Sequence, residues 1–249
     1  MTIGILITAR LKSTRLRRKA IKPIKGRPMI SHLIERLKQA RVPEKIILCT
    51  SHLEDDAPLV AICEEEHIPF FRGHPDDVLA RLTAAAETFE IDTVISCTAD
   101  NPFVDPAYVD ALAEFHTSDH YDYTNVNGLP LGCFAYGLSV DAMRRAVAMK
   151  DTTDTEVWTG YFTESGLFKV GCLEVENPKH RHPGLRLTVD TPEDFELICR
   201  IFAALHRPER VFTLDEILDV LDRHPEWLRL NAHVEQAKGR PIELKAAYR

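Results

Sequence analysis

Apolar positions along the chain fall into two alternating kinds of run. Short continuous runs at "IGILIT" (3–8), "KIILCT" (45–50) and "DTVISCTAD" (92–100), and a shorter one inside "PFFRG" (69–73), read as strands. Between them, "MISHLIERLKQA" (29–40), "DDAPLVAICEEEH" (55–67), "DDVLARLTAAAETF" (76–89) and "DPAYVDALAEFH" (105–116) repeat apolar residues at helical spacing. The first helix carries Met29, Ile30, Leu33, Ile34 and Leu37 on one face behind Pro28; the last opens on an Asp105-Pro106 cap. This order predicts an α/β fold, Rossmann-like, with a mostly parallel sheet and helices on both faces. Ligands in such sheets sit beyond the carboxyl ends of the strands. The loop after the first strand and Asp100 at the end of a later one therefore face one crevice.

Beyond residue 120 the pattern is more mixed. "YDYTNV", "GCFAYGL", "LFKVGCLEV" and "LRLTV" read as strands; "SVDAMRRAVAM", "TEVWTGYFTES", "PEDFELICRIFAAL" and "LDEILDVLDRH" read as helices. No Pro/Gly/Ser linker interrupts the chain, so residues 1–249 read as one domain. A subregion at 121–175 is placed to cover a substrate or to meet a second chain.

Composition narrows the function classes. At 249 residues and 45% hydrophobic content the chain is long enough for a sizeable core. No apolar run approaches the roughly 20 residues of a membrane span. The opening "MTIGILITAR" lacks the basic segment of a secretory signal, and the expectation is a cytoplasmic protein with no membrane partner. Six scattered cysteines fit reduced core residues. A net charge of −7 argues against broad nucleic-acid binding.

Against that acidic background, "ARLKSTRLRRKAIKPIKGRP" (9–28) holds nine Lys and Arg and no acid; the first acidic residue of the chain is Glu35. The stretch matches neither GxxxxGK[ST] nor GxGxxG. It offers Arg10, Ser13, Thr14, Arg15 and Lys19: arginine for bidentate phosphate contacts, lysine for a mobile point charge. A solvated basic face is the plain alternative; the place directly after the first strand favours phosphate. Asp100 in "TADNPFVDP" and Asp190 in "RLTVDTPEDF" both end apolar runs. Each alone reads equally as a helix cap. Together they could share one Mg²⁺, which takes few carboxylates plus phosphate oxygens and water. Cation loop and carboxylates combined point to Mg-assisted nucleotidyl transfer that needs no protein nucleophile.

The stretch "ITARLKSTRLRRKAIKPIKGRPMISHLIERL", with its pattern A-R-x-x-S-T-R-L-x-x-K, resembles the opening of sugar-activating cytidylyltransferases, closest to the SpsF-like branch and more distantly the CMP-Kdo and acylneuraminate synthetases. The likeness continues through "TADNPFVDP", "RLTVDTPEDFEL" and "LNAHVEQ", over nearly the whole chain. It implies the nucleotide-diphospho-sugar transferase type of fold, CTP as donor, a sugar acid (3-deoxy-ulosonic or nonulosonic) as acceptor, surface polysaccharide biosynthesis, and a homodimer. Ala9, Arg10, Ser13, Arg15 and Lys19 match the phosphate-binding loop, and Asp100 and Asp190 the metal-binding aspartates. Arg72, Gly73 and Asp77 fall in the segment near the base, with Arg81 one turn on; an Asp77–Arg81 pair is equally an ordinary helix salt bridge. Asn125, Asn127, Tyr136, Glu156 and Trp158 fall where relatives build the acceptor pocket, and each could equally be a turn, core or interface residue.

The chain departs from the family pattern at three places. Thr8 stands for a usual Gln, Arg17-Arg18 for Pro-Gly, and Ala99 for the Gly before the metal aspartate. None removes a proposed catalytic group. Alternatives at this level are a nucleotidyltransferase using a phosphate or phosphonate acceptor, a polysaccharide glycosyltransferase, and a nucleotide-sensing scaffold. The two histidines of "KHRHP" lack a third nearby ligand and do not make a zinc site.

Overall fold

The computed structural model describes residues 1–13, 15–236 and 241–248; Thr14, one of the loop residues named above, lies outside the described residues. Strand β1 (Ile3–Thr8) leads through the basic loop to a small hairpin, β2 (Pro23–Ile24) and β3 (Arg27–Pro28), and then to α1 (Met29–Leu37). Alternation continues with β4 (Lys45–Ser51), α2 (Ala57–Glu65), β5 (Phe70–Gly73), α3 (Val78–Thr88), β6 (Thr93–Thr98) and α4 (Pro106–Ser118). The second half adds β7 (Tyr123–Asn127), β8 (Tyr136–Ser139), α5 (Val140–Met149), a single turn α6 (Gly160–Thr163), β9 (Val170–Glu174), α7 (Pro192–Leu205) and α8 (Leu214–Arg223).

Seven strands form one sheet in the order β5-β4-β1-β6-β8-β7-β9. β5, β4, β1 and β6 are parallel, as the alternation predicts, and β9 lies parallel to β7. Only β8 is reversed, against both β6 and β7. That reversal brings its first residue, Tyr136, opposite Ser96, at the edge where β1 and β6 end.

The strands bury both faces. Ile3, Ile5 and Ile7 of β1 enter the core covered by α1, α2, α4, α7 and α8; Leu6 enters the opposite core, under α3 and α5. Burying each such side chain contributes roughly 1.5–3 kcal/mol, which is why a continuous apolar run reads as a strand covered on two sides. Helix α4 starts as its cap predicts: the Asp105 side chain accepts from the N–H groups of Ala107 and Tyr108.

Two expected elements are corrected. "LRLTV" (185–189) forms no strand. It has a single bridge, Leu131 to Arg186, and the Val189 N–H donates to the Asp100 carbonyl at 2.8 Å. Its neighbours are loops, so no ladder can form. "TEVWTGYFTES" (155–165) is helical only over Gly160–Thr163. Its start is held elsewhere: the Thr155 N–H donates to the Asp76 carbonyl at 3.1 Å and the Thr155 hydroxyl to Asp77 Oδ1 at 2.9 Å. The β2–β3 hairpin escaped the periodicity reading, being too short. Its turn, Lys25-Gly26, has φ of +49° and +83°, the two positive values a two-residue hairpin turn needs.

Candidate active site

An open cleft of about 720 Å³ lies where β1 and β6 end and β8 begins. Small-molecule sites run from about 300 to 1,000 Å³. The basic loop from Ala9 to Lys19, the segment Thr98 to Asn101 with Asp190, and the side chains of Tyr136, Glu156, Trp158 and Tyr161 all line the cleft.

Apolar and polar anchors hold the basic loop. Leu11, Leu16 and Ala20 are buried in the core, and the Leu11 N–H donates to Asp56 Oδ1 at 2.6 Å. Arg18, at φ +52°, turns the chain into a 3-10 turn at Lys19–Ile21. The segment carrying Asp190 is pulled in by a close backbone approach. A Cβ at Gly132, whose φ is +99°, would lie 2.6 Å from the Thr188 nitrogen, so only glycine fits there.

These anchors bring three distant residues together. Lys19 Nζ donates to Asp100 Oδ2 at 2.7 Å, to Asp190 Oδ1 at 2.9 Å and to the Val189 carbonyl at 2.9 Å. Arg15 adds a contact of 2.9 Å to the same Asp190 oxygen. The other Asp190 oxygen accepts from Arg186 at 2.8 Å. Arg186 is itself fixed by two hydrogen bonds of 2.9 Å to Asp194 and one of 2.6 Å to Gln236. Asp194 also accepts from the N–H groups of Asp190 and Thr191, closing the capping box of α7. Thr98 Oγ1 donates to the second Asp100 oxygen.

Electrostatics follow the pairing. Burial alone would lower the Lys19 pKa, but Asp100 and Asp190 outweigh it and hold the ammonium above its ordinary value. Burial would raise Asp190; Lys19, Arg186 and Arg15 outweigh it and keep the carboxyl below the usual range. Tyr136 is raised by burial and by the nearby Asp100 charge.

Arg10 governs the other end of the loop. It donates to the Pro75 carbonyl and to Asp76 Oδ1 at 2.8 Å, and lies 3.2 Å from Glu156. One guanidinium thus ties the loop before α3 to the segment that carries Glu156 and Trp158. Trp158 packs edge-on to Tyr136, with ring centroids 5.8 Å apart.

Of the residues singled out in the sequence, Ala9, Arg10, Ser13, Arg15, Lys19, Asp100, Asp190, Tyr136, Glu156 and Trp158 line the cleft. Six others lie outside its lining. Arg72 donates to the carbonyls of Ser51 and Leu53 at 3.1 and 2.9 Å. Gly73 lies against Arg81, whose Cγ would be 2.8 Å from an added Cβ. Asp77 caps α3 and pairs with Lys150 at 2.5 Å rather than with Arg81. Arg81 is buried, bonded to the carbonyls of His74 and Pro75; burial and the neighbouring Arg10 lower its pKa to about 10. Asn125 and Asn127 sit on β7, where Asn127 donates to Glu174 at 2.9 Å. Arg186, Asp194 and Asp76 belong to the site and were missed. Asp194 alone had a signal, as third helical residue after the Thr191 cap.

The donor set suits a cation held partly by its ligand. Two carboxylate oxygens from different chain segments converge on one point, now taken by the Lys19 ammonium. Among the described residues no group of three or more His, Cys, Asp or Glu could hold a metal ion unaided. Two carboxylates completed by phosphate oxygens is the pattern Mg²⁺ accepts.

The cation loop faces two carboxylates, Asp100 just beyond β6 and Asp190 just before α7, at the open edge of an α/β sheet, an arrangement suited to nucleotidyl transfer. The family model described as Cytidylyltransferase matches residues 4–218, and the chain belongs to that family. It is 31% identical to the spore coat polysaccharide biosynthesis protein SpsF of Bacillus subtilis, over 90% of this chain and 95% of that one. It is 25% identical to a 3-deoxy-manno-octulosonate cytidylyltransferase of Geotalea daltonii, over 96% of this chain and 85% of that one. A cytidylyltransferase structure from Leptospira borgpetersenii shares the fold, with a TM-score of 0.82 and 22% identity, covering 96% of this chain and all of that one. The protein is a cytidylyltransferase. Among the described residues no helix is long and apolar enough to cross a membrane.

Proposed function

We propose that the protein transfers CMP from CTP to a hydroxyl of a sugar acid, of the 3-deoxy-ulosonic or nonulosonic kind, and releases pyrophosphate. The observation that carries the reading is the convergence of Lys19, Asp100 and Asp190 in the cleft beside the basic loop. The acceptor class rests on the name of the 25% identical relative, and a place in surface polysaccharide synthesis on that of SpsF. Action in the cytoplasm as a homodimer is part of the same reading and rests on family likeness.

In this reading Arg10, Ser13, Arg15 and Lys19 bind the β- and γ-phosphates. The acceptor oxygen forms a bond to the α-phosphorus, the bond from that phosphorus to the bridging oxygen breaks, and the electron pair leaves with pyrophosphate. The acceptor's proton passes to solvent. The loop cations stabilise the departing charge, an electrostatic contribution that needs no covalent intermediate. Asp100 and Asp190 would hold Mg²⁺, which when bound with the triphosphate supplies Lewis-acid polarisation of the phosphate and of the attacking hydroxyl. Tyr136, Glu156 and Trp158 would give the acceptor an aromatic and hydrogen-bonding wall, joined to the loop where Glu156 meets Arg10.

The test is pyrophosphate release with Mg²⁺ and each of CTP, UTP, ATP and GTP, across a panel of ulosonic acids and sugar phosphates. Release with CTP and a sugar acid is expected. Release only with a phosphorylated acceptor would overturn the acceptor assignment, and release with another nucleotide but not CTP would overturn the donor.

A further inference from the structure

Every carboxylate oxygen of the Asp100–Asp190 pair already has a donor. Lys19 takes one oxygen of each, Arg15 shares the Asp190 oxygen, Arg186 holds the second Asp190 oxygen, and Thr98 the second Asp100 oxygen. These donors are not equivalent. Arg186 is locked by Asp194 and Gln236. Lys19 reaches in on a flexible four-carbon stem, and Arg15 is 43% exposed. Among the described residues only Lys19 touches both carboxylates.

We propose that Lys19 is a placeholder: its ammonium and a divalent cation compete for the same two carboxylates, and the triphosphate is what draws Lys19 away. This rests on the metal-assisted reading above. A divalent ion arriving alone would have to displace an ammonium already held by both carboxylates, or sit beside it against like-charge repulsion. A metal–nucleotide pair removes that conflict. The carboxylates pass to the metal, Lys19 and Arg15 pass to the phosphates, and no charge is left unmatched in a partly desolvated site. Arg186 stays behind as the fixed cation that aims Asp190. The site therefore admits metal and nucleotide together and resists the metal alone. Lys19 weakens free-metal binding even though it strengthens binding of the complex.

The test is direct binding of Mn²⁺ without nucleotide, by calorimetry or by the electron paramagnetic resonance of the free ion, to wild type and to Lys19→Met. The variant should bind Mn²⁺ roughly tenfold more tightly or better, since a unit positive charge at contact distance is gone. It should bind CTP in saturating Mn²⁺ roughly tenfold more weakly, one phosphate cation having been lost. Adding Asp100→Asn to Lys19→Met should abolish the gain and place it at these carboxylates. Arg15→Gln, at a more exposed position, should shift Mn²⁺ binding the same way by a smaller factor; it replaces Lys19→Met as the decisive variant if thermal melts show the latter unfolded. Unchanged or weaker Mn²⁺ binding by the folded variant, with wild type still binding CTP in Mn²⁺, would overturn the placeholder and leave the proposed transfer standing. Wild type that binds no Mn²⁺ even with CTP would overturn both.

Discussion

Lys19 and Arg10 sit at opposite ends of one loop, and each holds two carboxylates, yet the two pairings differ in kind. Lys19 holds Asp100 and Asp190, 23% and 8% exposed, and Asp190 is tied on through Arg186 to the fully buried Asp194. Around Arg10 the partners are Asp76 and Glu156, 45% and 70% exposed, on two separate loops. Buried pairs cost several kcal/mol to break from one side, whereas exposed pairs are worth about 0–1 kcal/mol and are screened by salt. At the Lys19 end the frame of Arg186, Asp190 and Asp194 is thus fixed, and the Lys19 ammonium is the part that exchanges. The Arg10 end is an exchangeable clasp between the phosphate loop and the acceptor wall.

The sharpest way to break this contrast is kinetic. Asp100→Asn should lower kcat by roughly 10²–10³ with little change in stability, the scale of a lost metal or oxyanion contact. Activity equal to wild type in a coupled pyrophosphate assay would remove Asp100 from the chemistry. Next in size is Asp194→Ala, which takes one of the two carboxylates from Arg186 and leaves the Asp190 and Thr191 N–H groups without their acceptor; it should cost roughly 3–5 kcal/mol in urea unfolding. A loss below about 1 kcal/mol would show that the Lys19 network is no more rigid than the clasp.

Acid should act on the same network with a defined sign. Burial raises and Arg186 and Asn231 lower the Asp194 carboxyl, with the net shift downward, as for Asp190. A depressed folded pKa gives stability that is fully present above the unfolded value and lost as pH falls through the folded one. The stability difference between wild type and Asp194→Ala should therefore hold from pH 7 to pH 5 and shrink below the ordinary value of 3.8. The smallest effect belongs to Glu156→Gln. Removing an exposed competitor for Arg10 should lower the KM for CTP by no more than about threefold, and added salt should erase the difference.

Much of the Lys19 end was legible before any coordinates. Lys19 is in a basic run after a first strand, and Asp100 follows a later strand of the same parallel sheet, so the two share an edge; Asp190 reaches that edge although 185–189 forms no strand. What surrounds them was not. Asp76 meets Arg10 across 66 positions, a pairing no local pattern encodes. Asp77 and Arg81 look like a helical i,i+4 pair, but Asp77 is drawn to Lys150, 73 positions on. The parallel half, from β1 to α4, followed from period except for the short β2–β3 hairpin. The segments at 155–165 and 185–189 did not, because loops rather than strands or helices take up their hydrogen bonds.

The bonds of Lys19 reach across 81 and 171 positions of the chain. Long-range contacts of that kind form late, after the loop-closure entropy between them has been met. During synthesis, β1 and its loop leave the ribosome early and must wait for Asp190 and for Asp194, which secures it. Until then the nine basic residues of that loop have few of their own carboxylates to hold, and are exposed to whatever polyanion the cell offers, ribosomal RNA included. Completion of the active site withdraws Arg15 and Lys19 from that stretch, while Arg17, Arg18 and Lys25 stay exposed on the finished fold.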